Sequence, residues 1–286
     1  MSERIAIVTD TNSGITKELS EELNIFVLPM PFIINGESYF EGLNFTTEQF
    51  YDEMRKDSDI STSQPAPGDV IDLWESILKD HDSIVHIPMS SGLSSSCGVA
   101  KMLADDFDGK VHVVDNKRIS ITQKQSVLDA IKLRDMGLSS TEIKEKLEDM
   151  TYDASIYIAV DTLKYLKKGG RVTSAGAAIG SVLNIKPILQ IQGDKLDAYS
   201  KSRGMKQAEK KLIEAIKSDL ENRFKDCDNI KIAVAYSGDK SIGDNWQKKV
   251  QENFPEYDVD CDPLSLSVSC HIGEMALAIG CYKSIQ

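Results

Sequence analysis

The first half of the chain alternates between short apolar runs and amphipathic stretches. Runs rich in β-branched residues at 4–9, 83–88 and 110–115 predict buried strands, because each is short and is followed by turn-forming residues. Apolar residues spaced three and four apart predict helices between them, including one over 120–136 that ends at Gly137. Strands that alternate with helices of this length predict a parallel sheet covered on both faces.

The segment that follows the first predicted helix breaks this regularity. Residues 24–32 form an extended apolar run that contains Pro29 and Pro31. Proline cannot donate to a strand ladder, so we expect this run to leave the sheet or to lie at its edge. Further on, Thr46 and Gln49 have the spacing of a capping box and predict the start of another helix.

The second half has a different pattern. Residues 186–201 predict two strands joined by a Gly193–Asp194 turn, and a strongly amphipathic helix follows them. A strand is predicted over 230–236. A hairpin beside single strand–helix pairs indicates an α+β arrangement. We therefore expect a two-lobed α/β protein, with an N-terminal parallel α/β lobe over 1–155 and a C-terminal α+β lobe over 156–286.

Composition and charge restrict the class of partner. The 286-residue chain carries 33 Lys and Arg against 45 Asp and Glu, a net charge of −12. Such a surface repels a nucleic-acid backbone and an anionic membrane, so we expect no nucleic-acid partner. The longest apolar stretch, 25–34, has ten residues and two prolines, which argues against stable membrane insertion.

The cysteines and the first residues bear on the compartment. None of the five cysteines forms a CxxC pair, and a chain of this length does not need disulfides to fold, so we expect reduced thiols. The opening residues place charges ahead of a short apolar run that ends at Asp10, which predicts a strand and not a signal peptide. We expect a cytoplasmic protein.

Two hydroxyl-rich loops precede predicted helices. Residues 61–65 read STSQP, and residues 90–96 contain five serines around Gly92 and Leu93. Ser and Thr most often cap helices, but one cap needs only one hydroxyl. The second loop, together with residues 10–13, should lie at the carboxyl edge of the parallel strands, where open α/β folds bind ligands. Because neither loop contains Lys or Arg, a singly charged group such as a carboxylate suits them better than a phosphate.

A serine hydrolase is the main alternative. The window 92–96 resembles a nucleophile elbow, but Ser96 stands where the sharp turn requires a second glycine. A general base for Ser94 would have to be His271, which we place in a turn over 269–273 ahead of an apolar small-residue helix. A single histidine in a loop is more often a structural hydrogen-bonding residue than a catalyst.

Other motifs of catalytic or cofactor sites are missing from the sequence. It contains neither GxGxxG nor GxxxxGK[ST], and no His, Cys and Asp cluster has metal-ligand spacing. We therefore predict no cofactor and no metal. A kinase subunit acting on a phosphosugar or keto-sugar is a third possibility, suggested only by α/β architecture.

Short motifs spread over nearly the whole chain resemble those of the DegV family of fatty-acid-binding proteins. They stand in the same order as in that family: VTDTNSGI at 8–15, TSQP at 62–65, SSGLSSS at 90–96, LKKGGRV at 166–172, KPIL at 186–189 and HIG at 271–273.

The resemblance implies a site and two partners. A long-chain fatty acid would lie between the two lobes, with its carboxyl group held by Thr62, Ser94 and His271. We include Ser63 and Ser95, the neighbouring hydroxyls of the same loops, in the predicted binding site. The family presents the acyl chain to a separate fatty acid kinase and carries the acyl phosphate onward, so the chain would be a carrier and not an enzyme.

Two arginines match positions that the resemblance associates with the kinase-docking face. They are Arg171 and Arg203. For the ligand itself, burial of an acyl chain contributes roughly 0.8 kcal/mol per methylene, so the tail should set affinity and the hydroxyl loops orientation. We expect apolar walls from both lobes, including Ile188 and Ile191.

Overall fold

The computed structural model describes residues 3–174, 185–193 and 195–286. Within them, the strands are β1 (Ile5–Asp10), β2 (Phe26–Leu28), β3 (Pro31–Ile34), β4 (Glu37–Phe40), β5 (Ile60–Thr62), β6 (Ser83–Ile87), β7 (Val111–Val113), β8 (Ala154–Ala159), β9 (Ile185–Ile191), β10 (Asp197–Arg203), β11 (Ile230–Tyr236), β12 (Asp260–Pro263) and β13 (Leu277–Lys283). The α-helices are α1 (Lys17–Leu23), α2 (Thr47–Arg55), α3 (Pro67–Ile77), α4 (Ser96–Ala104), α5 (Ile121–Asp135), α6 (Ser140–Asp149), α7 (Lys164–Gly169), α8 (Met205–Asn222), α9 (Lys240–Asn253) and α10 (Leu266–Ile272).

The predicted parallel sheet is confirmed. Its strand order is β2-β1-β6-β7, and every neighbouring pair is parallel. Successive side chains of β1 point to opposite faces. Ile5 and Ile7 pack with α5 and α6, whereas Ala6 and Val8 pack with α3 and α4. Helices therefore cover both faces, as the near-continuous apolar pattern of these strands indicates.

The second half forms a mixed sheet with the order β10-β9-β8-β13-β11-β12. All neighbours are antiparallel except β11 and β12. The predicted hairpin is the antiparallel pair β9 and β10, although Asp194 of its predicted turn lies outside the described residues. The predicted amphipathic helix is α8, which buries Ala208, Leu212, Ala215 and Ile216 against one face of this sheet. The fold class, α/β with a parallel and a mixed sheet, is thus confirmed.

The proline-containing segment satisfies both expectations for it. Phe26–Leu28 is the edge strand β2, and the chain then leaves the parallel sheet to form β3. β3 is the centre of a small antiparallel sheet, β4-β3-β5, which the sequence pattern did not predict. Phe32 of this small sheet and Phe50 of α2 pack against α10, where they contact Leu266 and Cys270. The sheet therefore ends, at Thr62, beside α10.

Two of the described helices begin with a capping box. The capping box predicted at Thr46 and Gln49 is present, with both reciprocal hydrogen bonds. A second box, formed by Ser139 and Glu142, begins α6, which the sequence analysis did not identify. Both boxes satisfy backbone N–H groups that a helix start leaves without partners.

The prediction for the last segment is wrong in two respects. His271 lies in the last turn of α10, not in a loop, because Ser265 caps that helix by accepting a hydrogen bond from the N–H of Val268. The apolar run after it is the strand β13 and not a helix. β13 pairs with β8 and β11 and is buried on both faces, so it lacks polar alternation. Such a strand cannot be distinguished from a buried helix by periodicity.

The division at residue 155 stays a prediction, although β8, the first strand of the mixed sheet, begins at Ala154. Contacts join the two halves: the ammonium of Lys124 on α5 lies 2.8 Å from the carboxylate of Asp262 on β12. All five cysteines are unpaired thiols. Of the helices described, none combines the length and the apolar character needed to cross a bilayer.

Candidate functional site

A cavity lies between the parallel sheet and the mixed sheet. It encloses about 910 Å³ free of protein atoms, part of which is open to solvent. Both halves of the chain supply its apolar lining, which includes Ile121, Ile156, Ile191, Leu196, Ala235 and Ala278.

The prediction for Ile191 is borne out by its place in this lining, but that for Ile188 is wrong. Ile188 packs on the opposite face of the mixed sheet, with Ala208 and Leu212 of α8. The reason is the strand period of two: residues 188 and 191 of β9 differ by an odd number and therefore face opposite sides.

One part of the cavity wall is polar and is formed where β5 and α10 both end. The Nε2 atom of His271 lies 2.8 Å from Oγ1 of Thr62, 209 residues away in the chain. Burial, aided by the nearby charge of Arg171, lowers the pKa of His271 to about 4. The imidazole is therefore neutral at pH 7. If its Nε2–H donates to Thr62, the threonine hydroxyl keeps its own proton for an acceptor in the cavity.

Glycine is required where α7 passes the histidine ring. A Cβ atom on Gly169 would lie only 2.1 Å from Nδ1 of His271. At Gly273, directly after α10, φ is 83° and a Cβ would lie 2.7 Å from the ring of Tyr165. These two glycines, in the KKGGR and HIG motifs, allow α7 and α10 to approach closely enough to fix the imidazole beside Thr62.

The serine-rich loop leads into α4 at another part of the polar wall. The Ser94 hydroxyl oxygen accepts a hydrogen bond from the N–H of Ser96, the first residue of α4. The Ser95 hydroxyl donates to Oε1 of Gln64 at 2.9 Å, which joins the two hydroxyl-rich loops. On the far side of the loop, the Lys117 ammonium donates to Ser91. These contacts hold Ser94 at the cavity and next to a helix N-terminus.

Asp10 ties together the strand ends beneath the loop. Its buried carboxylate accepts hydrogen bonds from the N–H groups of Met89 and Asn12 and from the side chain of Gln123. Burial raises the pKa of Asp10 to about 6, although these donors act in the opposite direction. Asn12 in turn accepts hydrogen bonds from the hydroxyls of Ser265 and Ser267, so the network continues into the start of α10.

Arg171 brings a cation to the cavity from outside the hydroxyl loops. Its guanidinium is half-buried, lines the cavity and donates to the carbonyl oxygens of Leu93 and Gly169. The loops themselves contain no Lys or Arg, and the singly charged ligand group expected from that pattern stays a prediction. Where side chains are described, no three His, Cys, Asp or Glu groups converge as a metal site.

The predicted ligand-binding residues all line this one cavity. They are Thr62, Ser63, Ser94, Ser95 and His271. Of the two predicted docking residues, Arg171 also lines it, whereas Arg203 is exposed at the end of β10.

Two polar residues of the cavity wall lie outside the loops that the sequence pattern singled out, Ser120 and Ser267. Ser120 immediately precedes a helix, a pattern that is present in the sequence but that also describes ordinary caps. Nothing in the local pattern distinguishes Ser267 from the other serines of its segment.

Comparison with known proteins places the chain in one family. The model of the DegV family of uncharacterised proteins matches residues 4–284. A DegV domain-containing protein of Listeria innocua is 31% identical over 284 residues, covering 98% of each chain. Protein DegV of Bacillus subtilis is 30% identical over 285 residues, covering 98% of this chain and 99% of the relative.

Solved structures agree with these sequence matches. One of them is a DegV family protein from Thermus thermophilus, which is described as binding fatty acid. It superposes with a TM-score of 0.89 at 27% sequence identity, and the match covers 98% of this chain and 99% of that protein. The structure of DegV from Bacillus subtilis, described as a fatty acid binding protein, gives a TM-score of 0.85 at 29% sequence identity. That match covers 99% of this chain and 100% of the other. The chain belongs to the DegV family.

Proposed function

We propose that this protein binds a long-chain fatty acid in the cavity between its two sheets. The observation that carries the proposal is the cavity itself, apolar along most of its wall and polar where Thr62 and His271 meet. The carboxylate would accept hydrogen bonds from the hydroxyls of Thr62 and Ser94, close to the N-terminus of α4 and the Arg171 guanidinium. Related DegV proteins that are described as fatty acid binding support the same ligand.

The apolar and polar parts of the site contribute very different free energies to binding. Burial of a long acyl chain contributes on the order of 10 kcal/mol as an upper bound, whereas each neutral hydrogen bond contributes about 1 kcal/mol. The apolar wall therefore provides affinity, and the polar wall fixes which end of the ligand stays at the hydroxyl loops.

The finer part of the proposal is that the protein presents its fatty acid to a separate fatty acid kinase. The carboxyl group would lie where the cavity opens, and the kinase would phosphorylate it there. Arg171 and Arg203 are the proposed docking residues. Arg203 is the cleaner of the two, because it is exposed and does not line the cavity, whereas Arg171 does.

Hydrolysis through Ser94 and His271 has less support. Nε2 of His271 is hydrogen-bonded to Thr62, and among the described residues no hydrogen bond joins His271 to Ser94. On the other side of the ring, Nδ1 faces Gly169, and among the described residues no hydrogen bond joins it to a carboxylate of the kind that orients the histidine of a catalytic triad.

The first test is extraction of the native ligand. Protein purified from bacteria without detergent should release about one equivalent of long-chain fatty acid on denaturation, measured by mass spectrometry against a standard. A preparation that carries no lipid, and that takes up no added stearate after purification, would contradict the proposal.

The second test separates the carboxylate site from the tail site. Ser94→Ala and Thr62→Val each remove one hydroxyl donor, so affinity for stearate should fall by about tenfold or more, as for a hydrogen bond to a charged group. Affinity for stearyl alcohol, which has the same tail and no charge, should change little. Equal losses for both ligands would mean that these residues only shape the cavity. Turnover of an ester by the wild type and not by Ser94→Ala would instead favour the hydrolase.

A further inference from the structure

The cavity has a second polar patch on a different element from the carboxylate site. Ser120, at the start of α5, lines the cavity between the apolar residues Ile119 and Ile121. The residue is only 8% exposed, and its hydroxyl has no hydrogen-bond partner in the part of the chain that the structure describes. Because this hydroxyl faces the cavity and makes no cap hydrogen bond, it is available to a polar group of a ligand.

The surroundings of Ser120 offer donors and few acceptors. As N-cap residue it makes no side-chain cap. The N–H groups of Gln123 and Lys124 donate to the carbonyl oxygens of Ile119 and Ser120, whereas those of Ile121 and Thr122, at the start of the 15-residue helix α5, have no backbone acceptor among the described residues. The helix dipole adds partial positive charge at this end. The nearby cavity residues Asn12 and Ser267 are already bonded to each other.

A hydrogen bond and an unusual backbone conformation mark the position of Ser120. Its N–H donates to the carbonyl oxygen of Asn12 at 3.0 Å, and its φ is 54°, in the left-handed region that non-glycine residues rarely adopt. The hydrogen bond to Asn12, which directly follows β1, therefore helps to hold Ser120 at the cavity wall.

We propose that Ser120 and the first turn of α5 bind an oxygen carried along the acyl chain, so that the cavity accepts hydroxy or oxo fatty acids. The inference rests on the proposed function. An oxygen there would accept from the Ser120 hydroxyl and from helix N–H groups, whereas a methylene would leave them without partners. A site built to hydrogen-bond an oxygen discriminates against the analogue that lacks it.

The experiment is a competition assay on delipidated full-length protein, with a fluorescent fatty acid as the displaced probe. Stearate is compared with monohydroxystearates and oxostearates that differ in the position of the oxygen. The variants are Ser120→Ala and Ser120→Gly, the second because glycine adopts a positive φ without strain. Ser94→Ala is the matched control, since it removes a serine hydroxyl from the carboxylate site. Thermal unfolding checks that each variant folds.

For at least one position of the oxygen, the wild type should bind the hydroxystearate or oxostearate more tightly than stearate. This preference should fall about fivefold in both Ser120 variants, which is the effect of losing one hydrogen bond. Affinity for stearate should not fall in these variants, and Ser94→Ala should weaken all the acids by the same factor. The responding position would report how far Ser120 lies from the carboxylate.

An unchanged preference at every position would overturn the inference. So would a loss of stearate affinity relative to stearyl alcohol in the Ser120 variants, because Ser120 would then belong to the carboxylate site. Failure of the wild type to bind stearate is a different result, which would contradict the proposed function itself.

Discussion

Two buried titratable side chains of the parallel sheet respond to pH in opposite directions. His86, on β6, is fully buried, its two ring nitrogens have no hydrogen-bond partner among the described residues, and burial lowers its pKa from 6.5 to about 4. Burial raises the pKa of Asp10 from 3.8 to about 6. Between pH 6.5 and 4 the unfolded chain protonates His86 and the folded chain does not, so this residue costs stability as pH falls. Between pH 6 and 3.8 the folded chain holds a proton on Asp10, which adds stability as pH falls.

These signs give a residue-scale prediction. Between pH 7 and pH 5, the loss of unfolding free energy should be smaller in His86→Phe than in the wild type by about 2 kcal/mol, because the variant has no imidazole to protonate on unfolding. Urea denaturation at the two pH values measures the difference. In Asp10→Asn, the loss of unfolding free energy between pH 7 and pH 5 should be larger than in the wild type, because the folded variant has no carboxylate to protonate. Identical pH dependence in His86→Phe and the wild type would show that His86 is not neutral in the folded protein.

Gly169 gives a second prediction at this scale. Gly169→Ala places a methyl group in the space of the His271 ring, 2.1 Å from Nδ1, so the imidazole must move away from Thr62. We expect stearate affinity to fall by about tenfold, similar to loss of one donor to the carboxylate. Gly68→Ala is the control, because nothing lies within 4 Å of a Cβ at that helical position. Unchanged binding in Gly169→Ala would show that the position of His271 does not matter for the ligand.

At the scale of elements, α10 connects the inter-sheet network to the carboxylate site. Its first residues are held by Ser265, whose hydroxyl accepts from Val268 N–H and donates to Asn12. Its last turn carries His271. The helix has seven residues, so its position depends on these end contacts more than on helix propensity.

Removing the cap should therefore affect both stability and binding. Ser265→Ala should lower the unfolding free energy by about 1–2 kcal/mol, for the lost cap and the lost hydrogen bond to Asn12, and should weaken stearate binding. Ser139→Ala removes the cap of α6 and should cost about 1 kcal/mol without affecting binding. Calorimetric unfolding and stearate titration separate the two effects. Equal binding by both variants would mean that α10 is positioned by packing alone.

At the scale of the whole molecule, the proposed docking face should be separable from the ligand cavity. Arg203→Ala should leave stearate uptake unchanged and slow formation of acyl phosphate by the fatty acid kinase of the same organism. Added salt should weaken the wild-type complex if the arginine pairs with acidic groups on the kinase. Phosphorylation of bound stearate, followed by mass spectrometry, measures the rate.

Lys225→Ala is the matched control for this experiment. Lys225 is also an exposed cation, but it follows the far end of α8, about 27 Å from Arg203 along an 18-residue helix. It should leave the rate unchanged. A normal rate in Arg203→Ala would place the docking face elsewhere, and loss of stearate uptake would assign Arg203 to binding.

The features that depend on local pattern were predictable from the amino-acid sequence. The apolar runs of β1 and β6 with the helices between them were sufficient to predict a parallel sheet. The order of strands and helices then placed the serine-rich loop at its carboxyl edge. The capping box at Thr46 and the two prolines before Phe32 were equally local, because a cap and a missing N–H act within a few residues.

Which distant residues meet depended on the three-dimensional fold. Thr62 and His271 are hydrogen-bonded across 209 residues, and their pairing depends on the small sheet β4-β3-β5 and on α10, neither of which was predicted. β13 was mistaken for a helix because a strand buried on both faces has no polar period. That the Ser120 hydroxyl makes no cap hydrogen bond likewise cannot be read from the sequence, because every serine before a helix resembles a cap. Whether such a group is satisfied depends on what the rest of the fold brings within reach of it.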